Sequence, residues 1–289
     1  ISPDGALAQM PFESLPWGPK GEPSILAADI HYTQSLSVYA LGRELQRDYA
    51  NLQGRKTLFA MGNPQYEKTL AMSTKSRSIN RQMRLVSGQK LEELDDRWRN
   101  LPGTEVEVNA VASLFPDSSS IFLGPQATES QLQQLNQSGQ LKNYQYLLFS
   151  VHGYLSPDSP WLSSLVLGLV NKTPGTDGYV TASEWTGYDL RSDLAVLSAC
   201  DSGLGKVLSG EGVMGLPFAM FVAGNVNTLM TLWQVDDEAT AEFVTRFFGL
   251  LKTGVKPAQA LAQTKREFLK HKDYSAPNFW APFILVGPG

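Results

Sequence analysis

The sequence predicts an α/β fold built on a mainly parallel sheet. Seven short, nearly continuous apolar runs punctuate the chain, amphipathic helical patterns lie between them, and the two alternate. Continuous runs suit strands covered on both faces, and strand–helix alternation implies crossover connections between parallel neighbours.

In chain order, "TQSLSVYALGRELQRDYANL" comes first, with Val38, Leu41, Leu45, Tyr49 and Leu52 at spacings of three and four, which gives one apolar helical face. "KTLFAMG" (56–62) reads as the first buried strand. Thr104 with Glu107 matches a capping box ahead of Val108, Val111, Ala112 and Phe115, and Thr128 with Gln131 repeats the signal after the strand "SIFLG" (120–124). "YQYLLFSVHG" (144–153), "LSSLVLGLV" (162–170) and "DLAVLSAC" (193–200) are the next three strands, followed by "NVNTLMTLW" (225–233). Asp236 and Asp237 precede Ala239, Phe243 and Phe247, where a carboxylate caps free N–H groups, so they read as helix caps rather than catalytic carboxylates. Pro257 suits a first helical position before Leu261, Ala262, Phe268 and Leu269, and "APFILVG" (281–287) is the last strand.

No long Pro/Ser/Gly linker divides the 289 residues, so the expectation is one domain over 1–289. The stretch 66–102 interrupts the alternation as an insertion. Within it Lys68, Lys75, Arg77, Arg81, Arg84 and Lys90 occur with no acidic residue between them. It reads either as a flexible, solvated face or as a docking surface for an acidic partner. The chain begins at Ile1 rather than Met, which suggests the C-terminal part of a longer protein. A formal net charge of −4 does not suit a nucleic-acid binder, no membrane span is visible, and a single cysteine forms no internal disulfide, which favours a reducing, cytoplasmic setting.

Two strands end in a reactive side chain followed by a turn: "YLLFSVHG" in His152 and "LAVLSAC" in Cys200, the only cysteine. Open α/β sheets gather functional groups at the carboxyl ends of their strands. A Cys–His pair is the minimal equipment for thiol nucleophilic catalysis, since the thiolate attacks a carbonyl and an imidazolium protonates the leaving group. From the residues alone the alternatives stay open, because a free cysteine packs well as a small hydrophobe and a histidine beside an apolar strand can be a core residue. The three histidines, His31, His152 and His271, form no HExxH and the lone cysteine builds no thiolate site, so no metal is expected. There is no GxSxG elbow. "GLGKVLSGEGVMG" departs from a phosphate-binding loop, with Cys200 and Val207 where Gly and Ser or Thr are required.

The ordered motifs "VHGY", "LSACDSG", "GEGVMGLPFAMFVAG" and "TLMTLWQVDDEAT" resemble a CHAT domain, the caspase-like peptidase family associated with TPR proteins and grouped with caspases and separases. The resemblance extends to "ISPDGALAQMPFESL", "HYTQSLSVYALGREL", "FAMGNPQY", "LPGTEVEVNAVASLF" and "ATESQLQQL", leaving mainly 66–102 unplaced. It implies a caspase-like α/β/α sandwich, a bacterial source and a cysteine endopeptidase without cofactor, with His152 as general acid/base and Cys200 as nucleophile. It also implies an oxyanion held by the backbone N–H groups of Gly153 and Cys200. Asp201 and Trp233 are candidates for a substrate pocket, although Asp201 also suits a self-bonded turn and Trp233 a core position. The expected partners are a protein substrate and an N-terminal regulatory region carrying TPR repeats, a nucleotide sensor or a CRISPR-type effector contact. The rival reading is a catalytically silent pseudo-protease acting as an interaction module, and acyl transfer by the same thiol is a third.

Overall fold

The computed structural model describes residues 1–66, 98–156, 159–170, 172–198 and 210–289, with side chains from 215 onward in the last stretch. The basic run 68–90, Cys200 and Asp201, and most of the glycine-rich segment after them lie outside the described residues.

A short hairpin, β1 (Pro16–Trp17) and β2 (Glu22–Pro23), precedes α1 (Leu36–Tyr49) and β3 (Lys56–Gly62). Then come α2 (Pro102–Ser113), β4 (Ser119–Leu123), α3 (Glu129–Gln137), β5 (Tyr144–Ser150) and β6 (His152–Tyr154). The chain continues through β7 (Ser164–Val166), β8 (Tyr179–Thr181), α4 (Ala182–Trp185), β9 (Leu194–Leu197) and α5 (Gly210–Val222). It closes with β10 (Asn227–Thr231), α6 (Asp237–Lys252), α7 (Pro257–Phe268), α8 (Pro277–Trp280) and β11 (Phe283–Val286).

Among the described residues, the central sheet has six strands in the order β11-β10-β9-β5-β3-β4. Its pairs are parallel except β10 with β11. The period of two along each strand splits the core into two layers. Phe59, Met61, Leu147, Phe149, Ala195 and Leu197 face one layer with α3, α4 and α5. Leu58, Ala60, Leu148, Leu194 and Val196 face the other, against α2, α6 and α7. This is the α/β/α sandwich expected.

Several local expectations change. The run 144–153 is two strands: it breaks at Val151, and β6 leaves the central sheet to pair antiparallel with β7, which pairs in turn with β8. The strand expected over 162–170 is therefore only Ser164–Val166, and it belongs to this second sheet. The apolar stripe of α1 is only partly covered, with Leu41 51% exposed. Gly42 makes that helix's close contact, an added Cβ lying 3.1 Å from Pro288. Thr104 and Glu107 do not form a capping box. Pro102 takes the first helical position and Leu101 the N-cap, which puts Thr104 inside the first turn, where its hydroxyl bonds the Leu101 carbonyl. The other start signals hold: Thr128 accepts from the Gln131 N–H, Asp236 from the N–H groups of Glu238 and Ala239, and Pro257 opens α7. A capping box does occur at Thr181 and Glu184.

Candidate active site

The carboxyl ends of β3, β5, β9 and β10 point to one edge of the sheet. There a cleft is lined by Leu101, Gly103, Thr104, Glu107, Val151, His152, Ser198, Gln234, Asp237 and Thr240. Helices α2 and α6 supply Thr104, Glu107, Asp237 and Thr240 to its polar wall, and the residues that follow β5, β9 and β10 supply His152, Ser198 and Gln234, the placement expected of an open α/β sheet.

His152 follows β5 by two residues and is 5% exposed. Its backbone N–H donates to the Tyr66 hydroxyl at 3.1 Å, and that hydroxyl donates to the Val166 carbonyl at 2.7 Å. The imidazole lies between two aromatic rings, with centroids 4.8 Å from Tyr66 and 4.9 Å from Trp98. Trp98 is anchored by its indole N–H to the Tyr179 hydroxyl at 2.9 Å. Nε2 lies 2.8 Å from the Arg99 carbonyl; a carbonyl only accepts, so Nε2 is the donor and the ring orientation is fixed. The two borders of the 66–102 stretch thus build the histidine's seat.

Glu107 lines the same cleft as the histidine and is 2% exposed. One carboxylate oxygen accepts from Ser150 Oγ at 2.5 Å and the other from Ser198 Oγ at 3.0 Å. Burial pushes this carboxyl up to about 7; the serine hydroxyls oppose the rise and the charge of Asp237 adds to it. A displaced carboxyl pKa inside a cleft is a mark of functional sites. Thr104 ties the cleft's floor to the sheet, because its hydroxyl accepts from the Asn63 N–H at 2.8 Å at the end of β3.

The remaining candidates divide. Gly153 is buried in β6 opposite Leu165 of β7. Trp233 donates its indole N–H to the Asn278 carbonyl at 3.2 Å, and the cleft wall is formed by its neighbour Gln234 instead. Cys200 and Asp201 fall outside the described residues, but Ser198, two residues before Cys200, lines the cleft with His152. Among the described residues no group of three His, Cys, Asp or Glu side chains could hold a metal ion. The sequence reading missed Tyr66, Trp98, Arg99, Ser150 and Glu107. For Ser150 a signal exists, since "FSVHG" and "LSACD" place a serine two residues before each reactive residue.

This strand order, with the cleft at the ends of the His152 and Ser198 strands, defines a caspase-like α/β/α protein. More particularly, the chain belongs to the CHAT domain family, which it matches over residues 1–288. It is similar to tetratricopeptide repeat protein 28 of Mus musculus, 30% identical over 139 residues that make up 47% of this chain and 6% of that protein. To the Homo sapiens protein of the same name it is 32% identical over 108 residues, 37% of this chain and 4% of the relative. The matched stretch is thus a small fraction of either relative's length. Among solved structures, the Saccharomyces cerevisiae separase–securin complex matches with a TM-score of 0.50 at 14% identity, covering 90% of this chain and 14% of the other, which shows the fold. The Arg-specific cysteine proteinase gingipain R matches with a TM-score of 0.43 at 11% identity, over 89% of this chain and 54% of that one.

Proposed function

We propose that the chain is a cysteine endopeptidase domain in which His152 and Cys200 act as a dyad on a protein substrate. The observation that carries this reading is the seat of His152. A buried imidazole is clamped by Tyr66 and Trp98, donates through Nε2 to the Arg99 carbonyl, and shares a cleft with the residue two positions before the cysteine. A merely structural histidine has no need of a polar cleft at the strand ends.

The Cys200 thiolate attacks the scissile carbonyl, forming a C–S bond and an oxyanion held by the Gly153 and Cys200 N–H groups. The His152 imidazolium then protonates the departing amine as the C–N bond breaks, leaving a thioester. Water, losing its proton to the neutral imidazole, attacks the thioester, and the thiolate leaves as the acid product forms. Asp201 is proposed to contact the substrate side chain. An N-terminal region that recruits substrate or releases the site is supported by the tetratricopeptide repeat relatives, and the lone cysteine favours a reducing cytosolic setting.

Cys200→Ala and His152→Ala should each lower cleavage of the cognate partner by a factor on the order of 10³ or more in the full-length protein. Cleavage unchanged in Cys200→Ala overturns the reading, whereas a peptide-based thiol trap that fails to label Cys200 in the full-length protein with its activator favours the interaction module.

A further inference from the structure

The parallel ladder between β5 and β9 runs as far as Phe149 opposite Leu197. The next residues in register are Ser150 and Ser198, and alternation along the strands turns both toward α2. There they meet the two oxygens of one carboxylate, Glu107, at 2.5 Å and 3.0 Å. Ser150 is fully buried and Ser198 6% exposed, so water does not compete freely for either hydroxyl. The carboxylate takes over where the backbone ladder stops. It joins the two chain segments that carry, two residues further on, His152 and Cys200.

We propose that Glu107 is a positioning residue: ionised, it clamps Ser150 to Ser198 and so sets the two reactive segments at a fixed spacing, and protonation releases the clamp. The assignment of a function to that spacing rests on the dyad reading above. The chemistry of release is direct. A carboxylate accepts from both hydroxyls through charge-assisted bonds, whereas a carboxylic acid turns one oxygen into a donor, and one serine must give up or reverse its bond.

The surroundings put this change near neutrality, since burial holds the carboxyl up at about 7. Asp237, at the start of α6, is the charged group acting on it, and its negative charge favours the protonated form. His152 shares the cleft. On α2 itself, Glu105 accepts instead from Asn63. Further along α6, Glu242 and Arg246 pair with each other, and Lys56 and Tyr146 lie toward the amino ends of β3 and β5.

The test is the rate of Cys200 alkylation by iodoacetamide against pH, followed by mass spectrometry on the peptide carrying Cys200. The wild-type profile should show a step near pH 7, where the carboxyl titrates, in addition to the thiol's own ionisation. Glu107→Gln should lack that step. Ser198→Ala, which removes one hydroxyl that steadies the carboxylate, should move it upward by about one pH unit. Coincident profiles for wild type and Glu107→Gln overturn the proposal, as does a uniform change in rate without loss of the step. If Glu107→Gln does not fold, an unmoved step in both Ser150→Ala and Ser198→Ala overturns it equally. The readout needs no peptide cleavage, so unchanged cleavage in Cys200→Ala overturns the dyad while the alkylation step still decides the clamp.

Discussion

Glu107 keeps its proton in the folded chain up to about pH 7, well above the ordinary 4.5 at which the unfolded chain releases it. The native state therefore binds more protons between those values. The stabilisation linked to this group is fully present below about 4.5 and is lost as pH rises through 7. A shift of this size corresponds to up to about 3 kcal/mol. Glu129 follows the same sign: it is 3% exposed, accepts from the N–H groups of Asp177 and Gly178, and is raised by burial to about 7 as well. Urea midpoints measured across this range should fall in the wild type and fall less steeply in Glu107→Gln, whose amide does not titrate. Parallel curves for the two proteins would show that the buried carboxyl is ionised throughout.

At the scale of elements, the end of β3 and the first turn of α2 approach as closely as a glycine allows. A Cβ on Gly62 would lie 2.8 Å from Val108 Cγ2 and 3.1 Å from the Thr104 carbonyl oxygen. Valine on a helix has little rotamer freedom and the carbonyl is backbone, so Gly62→Ala should destabilise by roughly 1–3 kcal/mol, read as a lower urea midpoint. Gly249, inside α6, has open space around its Cβ direction, and Gly249→Ala should instead stabilise by about 0.5–1 kcal/mol. An unchanged midpoint in the first variant, or a lowered one in the second, would contradict these packing assignments. The same elements show what could be read from sequence. The strands at 56–62 and 281–287, and the starts at Thr128, Asp236 and Pro257, rest on local chemistry: an apolar run, a side-chain acceptor, a ring that fits the first turn. Thr104 and Glu107 carry the same local pattern as a capping box, yet Pro102 starts the helix earlier and two serines from distant strands claim the carboxylate. The break at Val151 is equally hidden, because no proline or turn pair stands between Ser150 and His152 and only its pairing with β7 sets β6 apart. His152 lies two residues beyond β5, at the start of β6 rather than at the end of the single strand expected. Its seat was not legible, because Tyr66, Trp98 and Arg99 come from the borders of a stretch without periodicity.

Across the whole molecule, the N-terminal segment is bound to the far end of the chain through a buried ion pair. Lys265 of α7 donates from Nζ to Glu13 Oε1 at 2.8 Å, and both side chains are fully buried. The Tyr32 hydroxyl donates to the other Glu13 oxygen, and Tyr32 itself bridges to Val286 at the edge strand β11. Burial lowers the Lys265 pKa and the Glu13 charge opposes that shift, so desolvation and pairing are set against each other at one site. The intact pair is therefore a weak net stabiliser, whereas removing one partner strands a buried charge. Lys265→Met should cost roughly 3–5 kcal/mol, seen as a lower urea midpoint, because Glu13 then keeps only the Tyr32 hydroxyl. Glu13→Gln combined with Lys265→Met leaves no charge buried and should recover most of that loss, giving a large coupling energy in a double-mutant cycle. Limited proteolysis supplies the spatial readout: in Lys265→Met, cleavage should appear first within the N-terminal segment before α1, while the central sheet stays protected. Additive effects of the two substitutions, or proteolysis beginning in the sheet, would show that this pair does not fasten the N-terminal segment to the sandwich.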